Sequence, residues 1–583
     1  MSQHDETLAS FLSGASNERG QGSVSDRLDG TESQADGNAA QLKDGDGSAS
    51  GNPDGTAPRL DQIAAQVEAR AKQIQAMVPK ADEQKSRELD QQFVMQCLRY
   101  NRVGDATLWC ALFADKYVWV HEWKKMLKWN GQHWELDPDR RSALADIERV
   151  CEAYWNAYAQ SGEAPDSDLH KAVTKRMNVL RDKAGRDNLL ECAVTIDNPP
   201  VISQAQLDRQ PYLLATSTGV VDLRSGDCAP GRQSQHLLNP CPTPWTGKDT
   251  PCPTFDRYLL DCMDGDQDMA EFLIRLLGYG LLGEKHLAVW AIFYGPLSRN
   301  GKDTLMNTLK HVLGNKLHVR INVQMLMEQK FARQSAQPEP DLMALRGARL
   351  AYASEASQKM SIDQAKIKDM TGGGYITARG LSDKEMSEWK QSALIVMLTN
   401  YLPKLNVDDD GFKARTICVE WPVKFVANPT RPWERQIDYG IGRRLEAEAS
   451  GILARLVSGC QDVLAGGLRI PEKVLRYTQE QMDAFDDIGR FLRECCEIEE
   501  PPTGDRTYRT RIAVSELLKI CNWWCKKLLG NAYPFTPKKM TPALEKKGIQ
   551  THKASVMFYL GVSVLPEVMA EYNADNGKED RQW

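Results

Sequence analysis

Several things are missing from this sequence, and each absence removes a class of function. No apolar run is long enough to cross a bilayer. The N-terminus is acidic and polar instead of a basic patch followed by an apolar stretch, so no signal peptide is expected and the expected location is cytoplasmic, with no membrane partner. None of the fourteen cysteines form a Cys-x-x-Cys pair. Cys495-Cys496 and Cys521/Cys525 are the only close groups, and neither has zinc-ligand spacing, so buried reduced thiols are expected. An excess of positive charge is also lacking, since the chain carries −6. Yet Met1 to Pro58 holds ten Asp and Glu against three Lys and Arg, leaving the remainder near +1. Local basic patches, not net charge, therefore decide whether nucleic acid is a partner.

What is present divides along the chain. Residues 1–58 are rich in Gly, Ser, Asp, Gln and Asn and nearly devoid of aromatics, which predicts a disordered acidic tail. Ile63, Val67, Ile74 and Met77 recur at helical spacing, so 59–90 reads as a helical linker. From Gln91 the chain is globular. "LKWNGQHWELDPD" and "PYLLATSTGVVDLRSGDCAPG" each read as strand, turn, strand, the second turning at Ser225-Gly226-Asp227. The Pro- and Thr-rich stretch near 240–255 marks a boundary, placed at 250. Helices follow to Glu284. The apolar run "HLAVWAIFYG" reads as a central parallel strand, and "DTLMNTLKHVLG" as a helix ended by Gly314.

Between that strand and helix lies "GPLSRNGKDTL". A phosphate-binding loop has four residues between its first Gly and the Gly-Lys pair, with Ser or Thr next. Here five residues separate Gly295 from Gly301, and Asp303 follows Lys302. The context of strand, Gly-containing loop and helix is nevertheless what such a loop needs, because amides at a helix N-terminus bind anions. A second apolar strand, Leu350 to Ala353, runs into Ser354-Glu355. A third, Ser392 to Pro403, carries Thr399-Asn400. An acid at a strand end is by itself an ordinary solvated residue, and a polar Thr-Asn an ordinary turn. In this order beside a phosphate strand, they are where an ATPase keeps its water-activating carboxylate and its phosphate sensor.

The ordered run "GPLSRNGKDTL … RLAYASEAS … KIKDMTGGGYITARGLSDKE … ALIVMLTNYLPKL … DDDGFKARTICVEWPVKF" resembles a superfamily III helicase. The match is to the phage and plasmid primase-helicase family related to the poxvirus primase-helicase. The resemblance implies an α/β AAA+-like P-loop ATPase core over 251–425, with an α+β helicase-associated domain over 91–250. It implies a helical connector over 426–486, a winged helix over 487–566 and a tail over 567–583. It assigns Gly295, Asn300, Gly301, Lys302 and Thr304 to ATP, Glu355 to catalysis and Asn400 to sensing, and Asp303, which departs from the pattern, is a further candidate beside the ATP. Arg415 takes the place of an arginine finger acting on a neighbouring subunit's ATP, although the Arg that often precedes it is Ala414 here. Ring hexamers and 3′ to 5′ travel come from the resemblance alone. So does the reading of Lys368 to Trp389 as a DNA-contacting hairpin using Lys368, Arg379 and Lys384 on one strand in the ring channel.

In the C-terminal region, Lys538 and Lys539 open a short helix, and Lys546, Lys547, His552 and Lys553 flank a hairpin, a pattern suited to duplex DNA or to protein contacts. Trp523-Trp524 reads as core. Asp137 and Asp139 form a lone Asp-x-Asp that reads as a turn, so no primase centre is expected, and a primase or other replication protein is an expected partner. A carboxylate beside a triphosphate repels it unless metal intervenes, so Asp303, Thr304 and Glu355 are the expected Mg²⁺ side. The expected activity is ATP-dependent DNA unwinding in replication of a phage, prophage or plasmid-like element. An origin-binding initiator that translocates little, and a DNA-stimulated ATPase of packaging or defence, both stay open.

Overall fold

A computed structural model describes residues 89–329, 338–354, 360–381, 386–405, 409–501, 507–530 and 535–579. The expected acidic tail and almost all of the expected linker helix lie outside these residues, as do Glu355 and Lys384. No helix among the described residues is long and apolar enough to cross a membrane.

The first part is a helical layer on a small sheet. Helices α1 (Gln91–Arg99), α2 (Asn101–Phe113), α3 (Ile147–Ser161), α4 (Asp168–Arg181) and α5 (Lys183–Ala193) surround a core containing Trp109, Tyr117 and Tyr154. Trp109 stacks on Tyr117 with centroids 5.3 Å apart. Strands β1 (Tyr117–Val120), β2 (Lys125–Trp129), β3 (Trp134–Leu136) and β4 (Val201–Ile202) follow the order β3-β2-β1-β4. The expected aromatic hairpin is β2–β3, with Trp129 opposite Trp134. Asp137 is a local cap: its two carboxylate oxygens accept from the amides of Ser142 and Ala143 at 2.9 Å each. The expected turn is there.

A meander follows: β5 (Leu213–Ala215), β6 (Val220–Asp222) and β7 (Cys228–Ala229), with Ser225-Gly226-Asp227 between β6 and β7 as expected. Its inward residues Leu214 and Val221 join Leu223, Cys241 and Trp245 in the core of the central unit, not the core of the helical layer. Buried Arg349 donates to the carbonyls of Pro211 and Leu213 at 3.2 Å each. The meander, before the expected boundary at 250, thus packs on the central core. Alternation shows that a strand has an apolar face, not which layer covers it.

The central unit holds α6 (Pro253–Cys262), α7 (Gln267–Tyr279), β8 (Trp290–Tyr294), α8 (Lys302–Leu317), β9 (His318–Arg320), β10 (Leu350–Ser354), α9 (Gln364–Thr371), β11 (Tyr375–Ala378), β12 (Ser387–Lys390), β13 (Leu394–Thr399) and β14 (Thr416–Glu420). Five strands form one sheet in the order β14-β8-β13-β10-β9, every pair parallel. The sheet is buried on both faces, which is why β8, β10 and β13 read as unbroken apolar runs. Gly314 leaves helical geometry at φ 76° and ends the regular part of α8, as its sequence predicts. β14 stops before Trp421-Pro422, and β15 (Lys424–Val426) pairs with β16 (Glu434–Gln436).

Residues 426–486, expected as a connector, are part of this unit. Helix α10 (Ala449–Gly466) lies against α7 so closely that a Cβ on Gly278 would sit 2.4 Å from the Cys460 amide nitrogen, and one on Gly459 2.4 Å from the Ile274 carbonyl oxygen. Glu448 caps α6, accepting from the amides of Thr254 and Phe255 at 3.0 Å each. Helix α11 (Glu472–Asp483) packs on β14, where Thr478 Oγ1 accepts from the Cys418 amide at 2.9 Å.

The C-terminal part comprises α12 (Asp487–Cys495), β17 (Cys496–Ile498), β18 (Arg511–Ala513), α13 (Val514–Leu529), α14 (Pro537–Lys546), β19 (Thr551–Lys553), β20 (Met557–Leu560), β21 (Val562–Val564) and α15 (Pro566–Glu579). β18, β20 and β19 make an antiparallel sheet over a core with Phe491, Trp524 and Tyr559. Trp524 is core as expected. Of residues 567–583, expected as a tail, 580–583 lie outside the described residues and 567–579 lie in α15. Its Tyr572 meets Trp523 edge-on at 5.5 Å, and its Glu571 and Asp575 pair with Lys527 at 2.8 and 2.7 Å.

Candidate nucleotide site

The carboxyl ends of the parallel strands bring Tyr294, Ser354, Thr399 and Glu420 to one edge of the sheet. In open parallel sheets, ligands bind in the crevice outside this edge. The loop from Gly295 to Gly301 leaves β8 there and opens α8.

Its extra residue is absorbed by local geometry. Arg299 and Gly301 both take positive φ, 61° and 94°. Asn300 Nδ2 donates to the Leu297 carbonyl at 2.6 Å, and the Phe425 amide to the Arg299 carbonyl at 2.8 Å. A Cβ on Gly295 would lie 1.9 Å from Asn300 Nδ2 and 2.6 Å from Lys302 Nζ, so only glycine lets these side chains fold back over the loop. The Gly295 amide donates to the Thr399 carbonyl at 3.1 Å, tying the loop to β13.

Lys302, the first residue of α8, is buried. Its ammonium donates to Asn400 Oδ1 at 3.0 Å, joining positions 98 residues apart. No described carboxylate forms an ion pair with it. Burial pushes its pKa down to about 8, against a smaller upward pull from Asp303. A buried ammonium whose one acceptor is a neutral amide is a site waiting for negative charge. Asp303 is exposed and Thr304 half-buried in the first turn of α8. Glu355, the residue after Ser354, lies outside the described residues.

Two supports of the loop were not foreseen. Tyr258 donates its hydroxyl proton to the Gly301 carbonyl at 2.5 Å. Phe425 Cε2 and Cys262 Sγ stand where a Cβ on Gly301 would be, 3.6 and 2.6 Å away. Tyr258 lies 43 residues upstream on α6 and belongs to no motif, so only packing reveals it.

Arg415 is elsewhere. It precedes β14, at the amino edge of the sheet, with its carbonyl accepting from the Trp290 amide at 2.9 Å. A strand of five residues puts roughly 16 Å between the two edges. Its Nη1 donates to the Gly411 carbonyl at 3.0 Å, while Nε is buried with no hydrogen-bond partner among the described residues.

The segment expected as a hairpin is helix α9, a Gly turn, then β11 paired antiparallel with β12. Lys368 belongs to α9, not the hairpin, and its ammonium is 2.6 Å from Asp409. Thr371-Gly372-Gly373-Gly374 is the turn into the hairpin and not its tip. Arg379 follows β11, half-buried, its carbonyl accepting from the Glu339 amide at 2.9 Å. Lys384 lies outside the described residues. Around the hairpin Tyr375, Leu381 and Met386 are exposed. Lys538 and Lys539 are exposed in the first turn of α14, and His552 and Lys553 on β19, whereas Lys547 is ion-paired with Asp486.

The chain is similar to several known proteins. Residues 106–264 match the family described as D5 N terminal like. A candidate helicase of Acanthamoeba polyphaga mimivirus is 27% identical over 417 residues, 65% of this chain and 42% of that protein. A candidate primase of African swine fever virus is 25% identical over 250 residues, 40% of this chain and 24% of that one. A candidate helicase of Invertebrate iridescent virus 3 is 24% identical over 274 residues, 46% of this chain and 28% of its own. The chain thus spans less than half the length of these relatives. The apo C-terminal region of NrS-1 superposes at a TM-score of 0.42 with 12% identity, covering 79% of this chain and 99% of that one. The D5 N-terminal-like region and the similarity to these helicases and primases support a relation of this chain to the viral primase-helicases.

Proposed function

We propose that this chain is an ATP-dependent DNA helicase that works as a ring, a hexamer by resemblance, in replication of a phage, prophage or plasmid-like element, with 3′ to 5′ travel. The observation that carries the reading is Lys302: a buried ammonium at a helix N-terminus, aligned by Asn400 and with no anionic partner among the described residues. In this reading the Gly295–Gly301 loop is a P-loop on an AAA+-like core. Lys302 and the amides opening α8 hold the β- and γ-phosphates, with Asn300 shaping the loop beneath them. Asn400 orients the attacking water, and Glu355 accepts its proton.

The donors beside the loop suit a hard, oxygen-preferring ion. Asp303 offers a carboxylate and Thr304 a hydroxyl, leaving positions for water and phosphate oxygens. With Glu355 they would hold Mg²⁺, which supplies charge neutralisation along the phosphates. Arg415, an edge away from its own Lys302, is suited to act on a neighbour's nucleotide rather than its own. The β11–β12 hairpin, with Arg379 and Lys384, takes one DNA strand in the channel. Lys368 contributes there only if its bond to Asp409 opens. The C-terminal part acts as a winged helix, with Lys538 and Lys539 against duplex phosphates. Both oxygens of Asp137 are occupied as a cap, which supports assigning primase chemistry to a partner.

The test is strand displacement from a forked duplex, with ATPase measured against single- and double-stranded DNA. The reading expects displacement and preferential stimulation by single strands. ATPase without displacement would replace it with an initiator, and preferential stimulation by duplex with a packaging or defence ATPase.

A further inference from the structure

At the far side of α8 from the loop, a cavity of about 220 Å³ opens beside the sheet's edge strand β9. Lys310 and Asn315 of α8 form one wall, and His318 and Arg320 of β9 the other, with Tyr352 of β10 as floor. Its walls carry cations and hydrogen-bond donors, and no carboxylate among the described residues lines it. Lys310 is exposed and makes no ion pair among the described residues. Arg320 commits one guanidinium nitrogen, Nη2, to Ser354 Oγ at 3.1 Å.

His318 is 2% exposed, stacked on Tyr352 at 5.1 Å and 22°, and neither ring nitrogen has a hydrogen-bond partner among the described residues. Both ring nitrogens are closed off from solvent, so the imidazole meets the cavity with its ring and leaves the donor work to Lys310, Asn315 and Arg320. Burial, with Lys310 nearby, holds its pKa down to about 4, hence neutral.

We propose that this cavity binds a phosphate-class oxyanion. Lys310 brings three N–H groups, Asn315 two, and Arg320 those it does not give to Ser354. That is more than a carboxylate's two oxygens can serve, and it suits a tetrahedral anion with three or four. The volume admits one phosphoryl group with water. None of its lining residues lie in Gly295–Thr304, and Lys310 is about 10 Å along the helix from Asp303, while Arg320 touches the carboxyl edge of the sheet through Ser354. The proposal does not rest on the helicase reading.

The test uses full-length protein carrying Lys302→Ala, so that the loop does not contribute. Inorganic phosphate is titrated by calorimetry and by ³¹P line broadening. Saturable one-site binding is expected, weakened at least tenfold by Lys310→Ala and by Arg320→Ala. His318→Phe, which keeps the ring stacked on Tyr352, is expected to weaken it less. Competition by a nucleoside monophosphate would identify a terminal phosphate as the occupant, and its absence free phosphate. The proposal is overturned by lack of saturable binding at millimolar phosphate, or by binding that Lys310→Ala and Arg320→Ala leave unchanged in folded protein.

Discussion

Lys302 Nζ lies 3.0 Å from Asn400 Oδ1, the end of one parallel strand holding the ammonium that follows another. This contact aligns the lysine without neutralising it. Lys302→Ala is expected to abolish ATP turnover while leaving the fold intact. Because the change removes a buried, unpaired charge, the nucleotide-free protein should be as stable or about 1–2 kcal/mol more stable. Asn400→Ala should lower kcat by about 10²-fold with a smaller effect on KM. Surviving turnover in Lys302→Ala, with a normal melting profile, would remove the nucleotide assignment.

The depressed pKa of Lys302, about 8 against the ordinary 10.5, sets a pH dependence with a definite sign. Between these values the unfolded chain keeps the proton and the folded one loses it, so this group's contribution makes stability rise with pH across that window. Binding of a non-hydrolysable ATP analogue needs the charged form. Its affinity should therefore weaken as pH rises above about 8, by up to tenfold per unit. Lys302→Arg, charged throughout, should flatten the curve. A wild-type affinity constant from pH 7.5 to 9.5 would contradict this.

Arg415 precedes β14 at the edge of the sheet opposite the Lys302 loop, and in the proposed function it serves a neighbour's nucleotide. Arg415→Ala should bind ATP normally and lose turnover, and mixing it with Lys302→Ala subunits should restore part of the activity. Since Arg415 also braces the Gly411 carbonyl, the melting temperature is read alongside. A loss of activity that only tracks a loss of stability, without rescue on mixing, would make the residue structural.

Asp303 stands exposed in the first turn of α8. If it helps hold the Mg²⁺ shell, Asp303→Ser should shift the Mg²⁺ concentration for half-maximal ATPase upward several-fold, with ATP affinity in the absence of metal unchanged or improved. An unchanged Mg²⁺ curve would leave the carboxylate without this role.

The contact between α7 and α10 depends on missing side chains. Gly459→Ala should destabilise the protein by about 1–3 kcal/mol, since its methyl meets the Ile274 backbone. Gly466→Ala, whose methyl meets only Arg469 at ordinary distance, should be near neutral. Equal melting temperatures for the two variants would contradict the packing described.

Much of the central sheet was legible because its strands are buried on both faces and so appear as continuous apolar runs. β8, β10 and β13 stand where those runs are. The loop was legible as Gly295, Gly301 and Lys302 in order, despite the irregular spacing. Two segments pack on neighbours that their pattern does not name. The β5–β7 meander looked like part of the preceding domain and α10 like a connector, because amphipathic pattern records burial and not the partner. Lys368 looked like a free basic residue because Asp409, its counter-ion, is 41 residues away.

The sequence by itself determined that this chain has strands buried on both faces, a Gly-Lys loop opening a helix, and polar residues at the ends of later strands. These are local properties, set by side-chain type and short-range backbone preference. The tertiary structure alone decided that Lys302 and Asn400 meet, that Tyr258 holds the loop, and that Arg415 lies at the other edge of the sheet. It also brought Lys310, His318 and Arg320 around one cavity. Those outcomes depend on strand order and on which helix covers which face, and strand order is a property of long-range pairing that no short window of residues contains.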